Sequence, residues 1–316
     1  MSQVIDAITG ATRFTLNKIK YNELFAPEAE TELCFSKIDT LSYFTAKDEN
    51  GIIRGGNLPW SHLIDIIPSH LTSKKEKVDF ICAVLAKLPS NVAFNFITNP
   101  RIKDADIVID AFKKAGFIHN TRNTNTFYAD TDQDLIKRLK SDARTKVNAS
   151  IRDMELVPMS VEEFFAYYSE NLKNAEKSYY FNFDIDVELF KRSMTMTSAK
   201  VHILAARQKA SDKTPENAPI DAAFFCGAGD DGFLKLMRIT YRLPQADDVV
   251  APHKHAIKFL VFEAMRMAAI NGLTLDTDGY TPGGDVLYSR FGVFNTEVRH
   301  EFSRKTAQTL LKKLFK

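Results

Sequence analysis

Two aspartates, Asp276 and Asp278, follow the short apolar run Leu273-Thr274-Leu275, and Tyr280 and Tyr288 come soon after. Carboxylates at the end of a strand in an open α/β sheet lie where such sheets bind ligands. Asp276 or Asp278 could accept a proton, directly or through water, and Tyr280 or Tyr288 could give one to a leaving group. Asp276 is the better base, because it lies inside the strand, where burial raises a carboxyl pKa toward the working pH. Thr281-Pro282-Gly283-Gly284-Asp285 reads as a mobile loop above this group. The plainer alternative is a turn in which each Asp only caps the next helix.

A second constellation is Ala251-Pro252-His253-Lys254-His255, which opens a long helix. Pro252 suits the first turn, and the free N–H groups and positive dipole end there attract anions. His253 and His255 flank Lys254 and point to different faces, so they form no metal pair, and no metal is expected. Lys137, Arg138, Lys140, Arg144, Lys146 and Arg152 make a basic helix that could face RNA or a diphosphate-linked substrate, or be an ordinary solvated face. Tyr167, Tyr168, Tyr179, Tyr180, Phe181 and Phe183 suit a sugar or peptide acceptor, or are core. Walker, H-E-x-x-H, dinucleotide and Ser-His-Asp patterns are absent.

The whole chain sets the frame for these groups. Its 316 residues suggest two domains, and 42 Lys+Arg against 40 Asp+Glu give a net charge of +2, which argues against a dedicated nucleic-acid binder. A 45% hydrophobic fraction with 24 Phe excludes disorder as the dominant state. Cys34, Cys82 and Cys226 are far apart and read as reduced thiols. The N-terminus does not read as a signal peptide and no window reads as a membrane span, so a cytoplasmic protein is expected.

The elements that must position the groups follow from periodicity. Strands are expected over 41–46, from 52, and over 92–98 and 124–129; helices over 73–88, with a Ser73/Glu76 capping box, and over 104–115, stopped by Gly116. A basic helix is expected over 133–151 and an amphipathic one over 161–171. Strands are then expected over 201–207, 221–226 and 233–242, with a GAGDDG hairpin at 227–232. A helix over 253–271, a strand over 273–277, a short helix over 285–291, a strand over 297–303 and a basic helical tail complete the order. The long helices, the strands that follow them and the pairs Gly116-Phe117 and Phe291-Gly292 recur at an offset of about 180 residues, the mark of a tandem duplication.

This order resembles two tandem GNAT-type units of the FemABX-like aminoacyl- and N-acyltransferases. The residues that carry the resemblance are Asn95-Phe96-Ile97-Thr98-Asn99-Pro100 with Ala115-Gly116-Phe117, Ser141-Asp142-Ala143-Arg144 through Ile151-Arg152, Ala251-Pro252, and Leu287-Tyr288-Ser289-Arg290-Phe291-Gly292. Where the family's ending usually carries a lysine, Tyr288 stands, and Val250-Ala251-Pro252-His253-Lys254-His255 replaces the usual GNAT pyrophosphate loop. The resemblance implies an α/β fold with a mixed sheet: a first GNAT-like unit over 1–132, a helical linker over 133–172 and a second, catalytic unit over 173–316, the units facing each other across a cleft. It implies an N-acyltransferase that moves an acyl group from acetyl-CoA, another acyl-CoA or an acyl carrier to the amine of an amino sugar, amino acid or peptide. Acyl-CoA would be a co-substrate, with no permanently bound cofactor. The donor arm would lie along Arg238, Ile239, Thr240 and Tyr241, with Ala251, His253, Lys254 and His255 at its phosphates. Arg144, Arg152, Tyr179 and Tyr180 would meet the acceptor. An aminoacyl-tRNA donor is the less favoured enzyme reading, and a non-catalytic binding module is the reading from another class. A monomer or homodimer is expected. Asp276→Asn is expected to lower kcat by roughly 10²–10⁴-fold with folding intact.

Overall fold

The computed structural model describes residues 34–47, 52–58, 62, 66–175, 187–192, 200–229, 231–246, 248–278 and 282–306. Eleven strands form one mixed sheet: β1 (Cys34–Ile38), β2 (Leu41–Lys47), β3 (Ile53–Gly56), β4 (Ala93–Ile97), β5 (Ile118–Phe127), β6 (Met154–Val157), β7 (Lys200–Gln208), β8 (Ile220–Ala228), β9 (Phe233–Tyr241), β10 (Thr274–Asp276) and β11 (Asn295–Arg304). The helices are α1 (Lys74–Ala86), α2 (Ala105–Lys114), α3 (Leu135–Arg138), α4 (Ser141–Asp153), α5 (Val161–Asn174), α6 (187–192), α7 (Ala256–Ile270) and α8 (Pro282–Ser289).

Local chemistry accounts for the main boundaries. The expected Ser73/Glu76 capping box opens α1, and Ser160 with Glu163 opens α5 in the same way. Such a cap contributes about 1 kcal/mol. Gly116 and Gly292 both take positive φ, at 82° and 74°, just ahead of β5 and β11, so the repeated Gly beside Phe marks one turn used twice. The basic helix expected over 133–151 breaks at Leu139-Lys140 into α3 and α4. There Lys140 donates its backbone N–H to the Phe291 carbonyl, and the Arg144 guanidinium caps the carbonyls of Lys137 and Leu139. Strands β1 and β6 were not expected from the sequence. The GAGDDG turn joins β8 to β9, and the basic tail lies outside the described residues.

The sheet order is β1-β2-β3-β4-β11-β5-β10-β9-β8-β7-β6. Exchanging β1–β5 with β7–β11 returns the same order reversed, with β6 as an added edge. The pairings agree: β3 and β4 are parallel, as are β9 and β10, and the meanders β1-β2-β3 and β7-β8-β9 are antiparallel. The duplication is thus written into the sheet. The halves do not face each other as separate sheets, however. β11 lies between β4 and β5, and β5 lies beside β10, so each half's last strand completes the other half.

Helices α1 and α2 cover Phe94 and Phe96 on the first half. In the second half α4 and α7 cover one face, through Phe224, Leu234 and Leu236, while α5 and α6 cover the other, through Phe225 and Met237. Strand alternation places these sets on opposite faces. Among the described residues no helix is long and apolar enough to cross a membrane, and no three potential metal ligands cluster.

Candidate active site

Strand β9 is held by β8 along nearly its whole length but by β10 only from Phe233 to Lys235. β10 ends at Asp276, opposite Lys235, while β9 continues to Tyr241. A register shift at Phe225/Cys226 leaves Met237 as an extra residue and bends β9 at the same place. The two strands therefore fork. Beyond the fork, no other strand among the described residues pairs with the edge of β9 that would face β10.

Charged side chains fill the crotch of the fork. Asp276 is fully buried. Its Oδ2 lies 2.8 Å from His62 Nε2, and its Oδ1 accepts from the Thr124 hydroxyl and, at 3.0 Å, from the Asp278 backbone N–H. The other ring nitrogen of His62 lies 2.8 Å from Asp231 Oδ2, which also accepts the His62 backbone N–H at 2.8 Å. Arg299 on β11 donates to Asp278 Oδ1 at 3.0 Å and to the Asp278 carbonyl at 3.1 Å, and Lys235 Nζ lies 3.3 Å from Asp278 Oδ1. His62, Lys235 and Arg299 are all buried.

Both His62 ring nitrogens face carboxylate oxygens, an arrangement that favours hydrogen on both nitrogens and so the imidazolium form. Burial and the Lys235 charge work against that proton, yet the bonds to Asp231 and Asp276 prevail and raise the His62 pKa. Three carboxylates, Asp231, Asp276 and Asp278, thus face three basic side chains, His62, Lys235 and Arg299. Burial alone would push the Asp276 pKa up, as the sequence suggested. The bond and charge of His62, with Arg299 and Thr124, outweigh burial and hold the carboxyl well below its ordinary range. The lowered pKa favours Asp276 as an anion held in place and runs against the expectation of a base tuned toward neutral pH. Burial likewise works against ionised Asp278, but Lys235 and Arg299 lower its pKa. Tyr288, 7% exposed, has its pKa raised by burial and by the Asp276 charge, so it stays a neutral phenol.

The structure brings Asp276 and Asp278 together and leaves Tyr288 near enough to feel the Asp276 charge; Tyr280 lies outside the described residues. On β9 beyond the fork, Arg238 is half-buried over the Phe190 ring, Ile239 and Tyr241 are exposed, and Thr240 is buried against the Asn171 amide. Ala251 and Lys254 are exposed at the mouth of α7. His253 and His255 are half-buried there, with pKa values lowered first by burial. The His253 backbone N–H goes to the buried carboxylate of Asp221, which also pairs with Arg242. Arg144 and Arg152 are not part of the fork: Arg144 caps α3, and Arg152 is exposed and pairs with its neighbour Asp153. Tyr179 and Tyr180 lie outside the described residues. Tyr167 donates to the Ile220 carbonyl and packs, with Tyr168, against the second-half core.

His62, Lys235 and Arg299 were missed. An isolated His after Trp60-Ser61 carries no local signal. Lys235 in an apolar strand and Arg299 in an alternating one were visible only as charges placed where a strand is expected to be buried.

No protein-family model matches the sequence, and no curated protein matches it. Among solved structures, FemX superposes over 90% of this chain and 86% of its own, with a TM-score of 0.57 at 10% identity. A conserved protein of unknown function from Bacteroides thetaiotaomicron superposes over 87% of this chain and 86% of its own, with a TM-score of 0.51 at 10% identity. The chain has a GNAT-type, FemABX-like fold.

Proposed function

We propose that the protein is an N-acyltransferase whose second half binds an acyl-CoA donor in the fork between β9 and β10 and passes the acyl group to an amine. The observation that carries this reading is the fork itself, where β10 ends at Asp276 while β9 runs on to Tyr241 beside a buried polar crotch. A pantetheine arm carries amide groups and can add to such an edge as a strand does. Its phosphates would then lie toward Ala251–His255 at the start of α7, where backbone N–H groups favour anions.

In this reading the amine attacks the thioester carbonyl, and the C–S bond breaks as the C–N bond forms. The thiolate leaves, and the ammonium proton is lost to water. Tyr288 is a hydrogen-bond donor to the thioester rather than a proton source, because its raised pKa keeps the proton on the phenol. Asp276 holds the crotch in shape through His62 and Thr124. The acceptor is a small amine or a peptide.

Calorimetric titration of the full chain with acetyl-CoA, and separately with a charged tRNA, tests the donor. Saturable binding of acetyl-CoA supports the reading. Salt-dependent binding of the tRNA alone replaces it with the aminoacyl-tRNA reading. Incubation with amines and acyl donors, followed by mass spectrometry, tests the reaction. Absence of any acyl adduct across the set favours the non-catalytic binding module.

A further inference from the structure

Away from the fork, His119 on β5 and His300 on β11 meet side chain to side chain. Strand β11 pairs with β5 from Asn295 opposite Thr126 to Ser303 opposite Ile118. In that register Phe302 stands opposite His119 and Thr121 opposite His300, so these four side chains share one face of the sheet. His119 Nε2 lies 3.0 Å from His300 Nδ1, and neither ring makes another side-chain hydrogen bond among the described residues.

Both rings are held in place. His119 stacks on Phe302 at 5.3 Å between ring centres, and Phe302 stacks in turn on Phe112 of α2. The His300 backbone is pinned from its other side, donating its N–H to the Thr98 hydroxyl at 3.0 Å and accepting the Thr98 N–H at 2.9 Å. The face opens just beyond the pair, where Thr121 and Asn123 are exposed and Val298 is 49% exposed. A small solute therefore has a way in. Burial, with the charges of His300 and Lys113, lowers the His119 pKa, and burial lowers that of His300. The neutral imidazole is thereby favoured, and it is the form that binds a metal.

The spacing of the two nitrogens suits such an occupant. Two nitrogens each about 2.0–2.1 Å from one zinc ion lie about 2.9 Å apart at a right angle and about 3.3 Å apart at the tetrahedral angle. The observed 3.0 Å falls within that bite. We propose that His119 and His300 form a two-histidine site for a divalent transition metal of the zinc and copper class, held by His119 Nε2 and His300 Nδ1, with water in the remaining positions. The proton of the N–H···N contact moves to the other nitrogen of its own ring, so both rings stay neutral and no net proton is released. β5 is the last strand of the first half and β11 of the second, so the metal ties together the two strands that the halves exchange. The site stands apart from the acyl-transfer reading, and either can fail alone.

Calorimetric titration of the full chain with zinc chloride, after chelator treatment and in a buffer that does not bind zinc, tests this. The wild type is expected to take up one zinc per chain and to gain Tm with zinc. His119→Gln and His300→Gln are each expected to weaken that binding by about tenfold or more, since losing even an outer-shell partner costs that much, and to lose the zinc-dependent rise in Tm. Should they fold poorly, Thr121→Lys, which sets a cation opposite His300 at an exposed position, is expected to weaken zinc binding severalfold. Copper(II) gives a separate reading: electron paramagnetic resonance of the wild type is expected to show coupling to two imidazole nitrogens, and of His300→Gln to one. A wild type indifferent to zinc overturns the site, as does zinc binding undiminished in the folded variants. Zinc binding lost in His255→Gln but kept in His300→Gln moves the metal to the His253 and His255 rings, 5.8 Å apart, and overturns it too.

Discussion

Asp276→Asn takes one negative charge from a buried set that sums to zero. His62 and Arg299, both buried, then have less than their share of anion. Breaking a buried pair in this way costs roughly 3–5 kcal/mol. The variant is therefore expected to lose a large part of its stability in urea unfolding, before any effect on turnover is read. The simple test of a base, lost activity in an intact fold, does not apply at this position. A milder probe is pH. The His62 pKa is raised on folding, so its contribution is fully present below the ordinary imidazole value of about 6.5 and is lost as pH rises through the folded value. Asp276 acts in the other direction: its lowered pKa contributes stability above the ordinary Asp value of about 3.9, lost as pH falls through the folded value. Stability measured from neutral to alkaline pH should fall in the wild type, and His62→Gln should flatten that fall. An imidazole ¹⁵N titration placing the His62 pKa at or below the ordinary value would remove the imidazolium from this account.

The fork is a property of elements. On the second half it is open, because β10 stops at Asp276 while β9 runs on. On the first half the matching place is closed. β3 stops at Gly56, the Asn57 side chain accepts the Ile97 N–H at 2.8 Å, and a Cβ on Gly56 would meet the Asn95 carbonyl oxygen at 2.3 Å. The added methyl would press on backbone that cannot swing aside, so Gly56→Ala must part β3 from β4, at a cost of about 1–3 kcal/mol read as a lower urea midpoint. For the open fork the expected sign is protection: saturating acetyl-CoA should slow amide exchange at 236–241 on β9 and leave β3 unchanged. Uniform slowing across both halves would speak against strand addition. These elements differ in how legible they are in sequence. α1, α2, α7 and the strands after them show in periodicity, capping residues and Gly stops, which are local signals. β1 and β6 do not, since both are short strands at the sheet edges. The fork is hidden too, because it depends on where a neighbouring strand ends. His62 is hidden most deeply, lying 169 residues from Asp231 and 214 from Asp276. The duplication and the chemistry-bearing stretch at Asp276–Asp278 are legible, while the partners that set the Asp276 pKa are not.

At the scale of the molecule, the exchange of last strands decides how the halves depend on each other. A chain cut after residue 132 leaves the first piece with β1 to β5 but without β11, which pairs with both β4 and β5. Both of those strands run antiparallel to β11, so they are parallel to each other and cannot close the gap without a new register. The piece also loses Phe302, fully buried and stacked on Phe112 at 4.2 Å, and the carboxylates that hold His62. The second piece keeps β9 and β10 but loses β5 from the far side of β10, and with it Thr124 beside Asp276. Neither piece can bury what the intact sheet buries, and the loss falls on the middle of the sheet rather than on an edge. Residues 1–132 and 133–316, each expressed alone, are therefore expected to show no cooperative thermal transition. Mixed during refolding, they are expected to co-elute as one species and recover a single transition. The cut itself costs little, because it lies on an exposed connection ahead of α3. A first piece that melts cooperatively on its own would show that β11 is an addition to a self-sufficient unit, and the account of two mutually completed halves would fail.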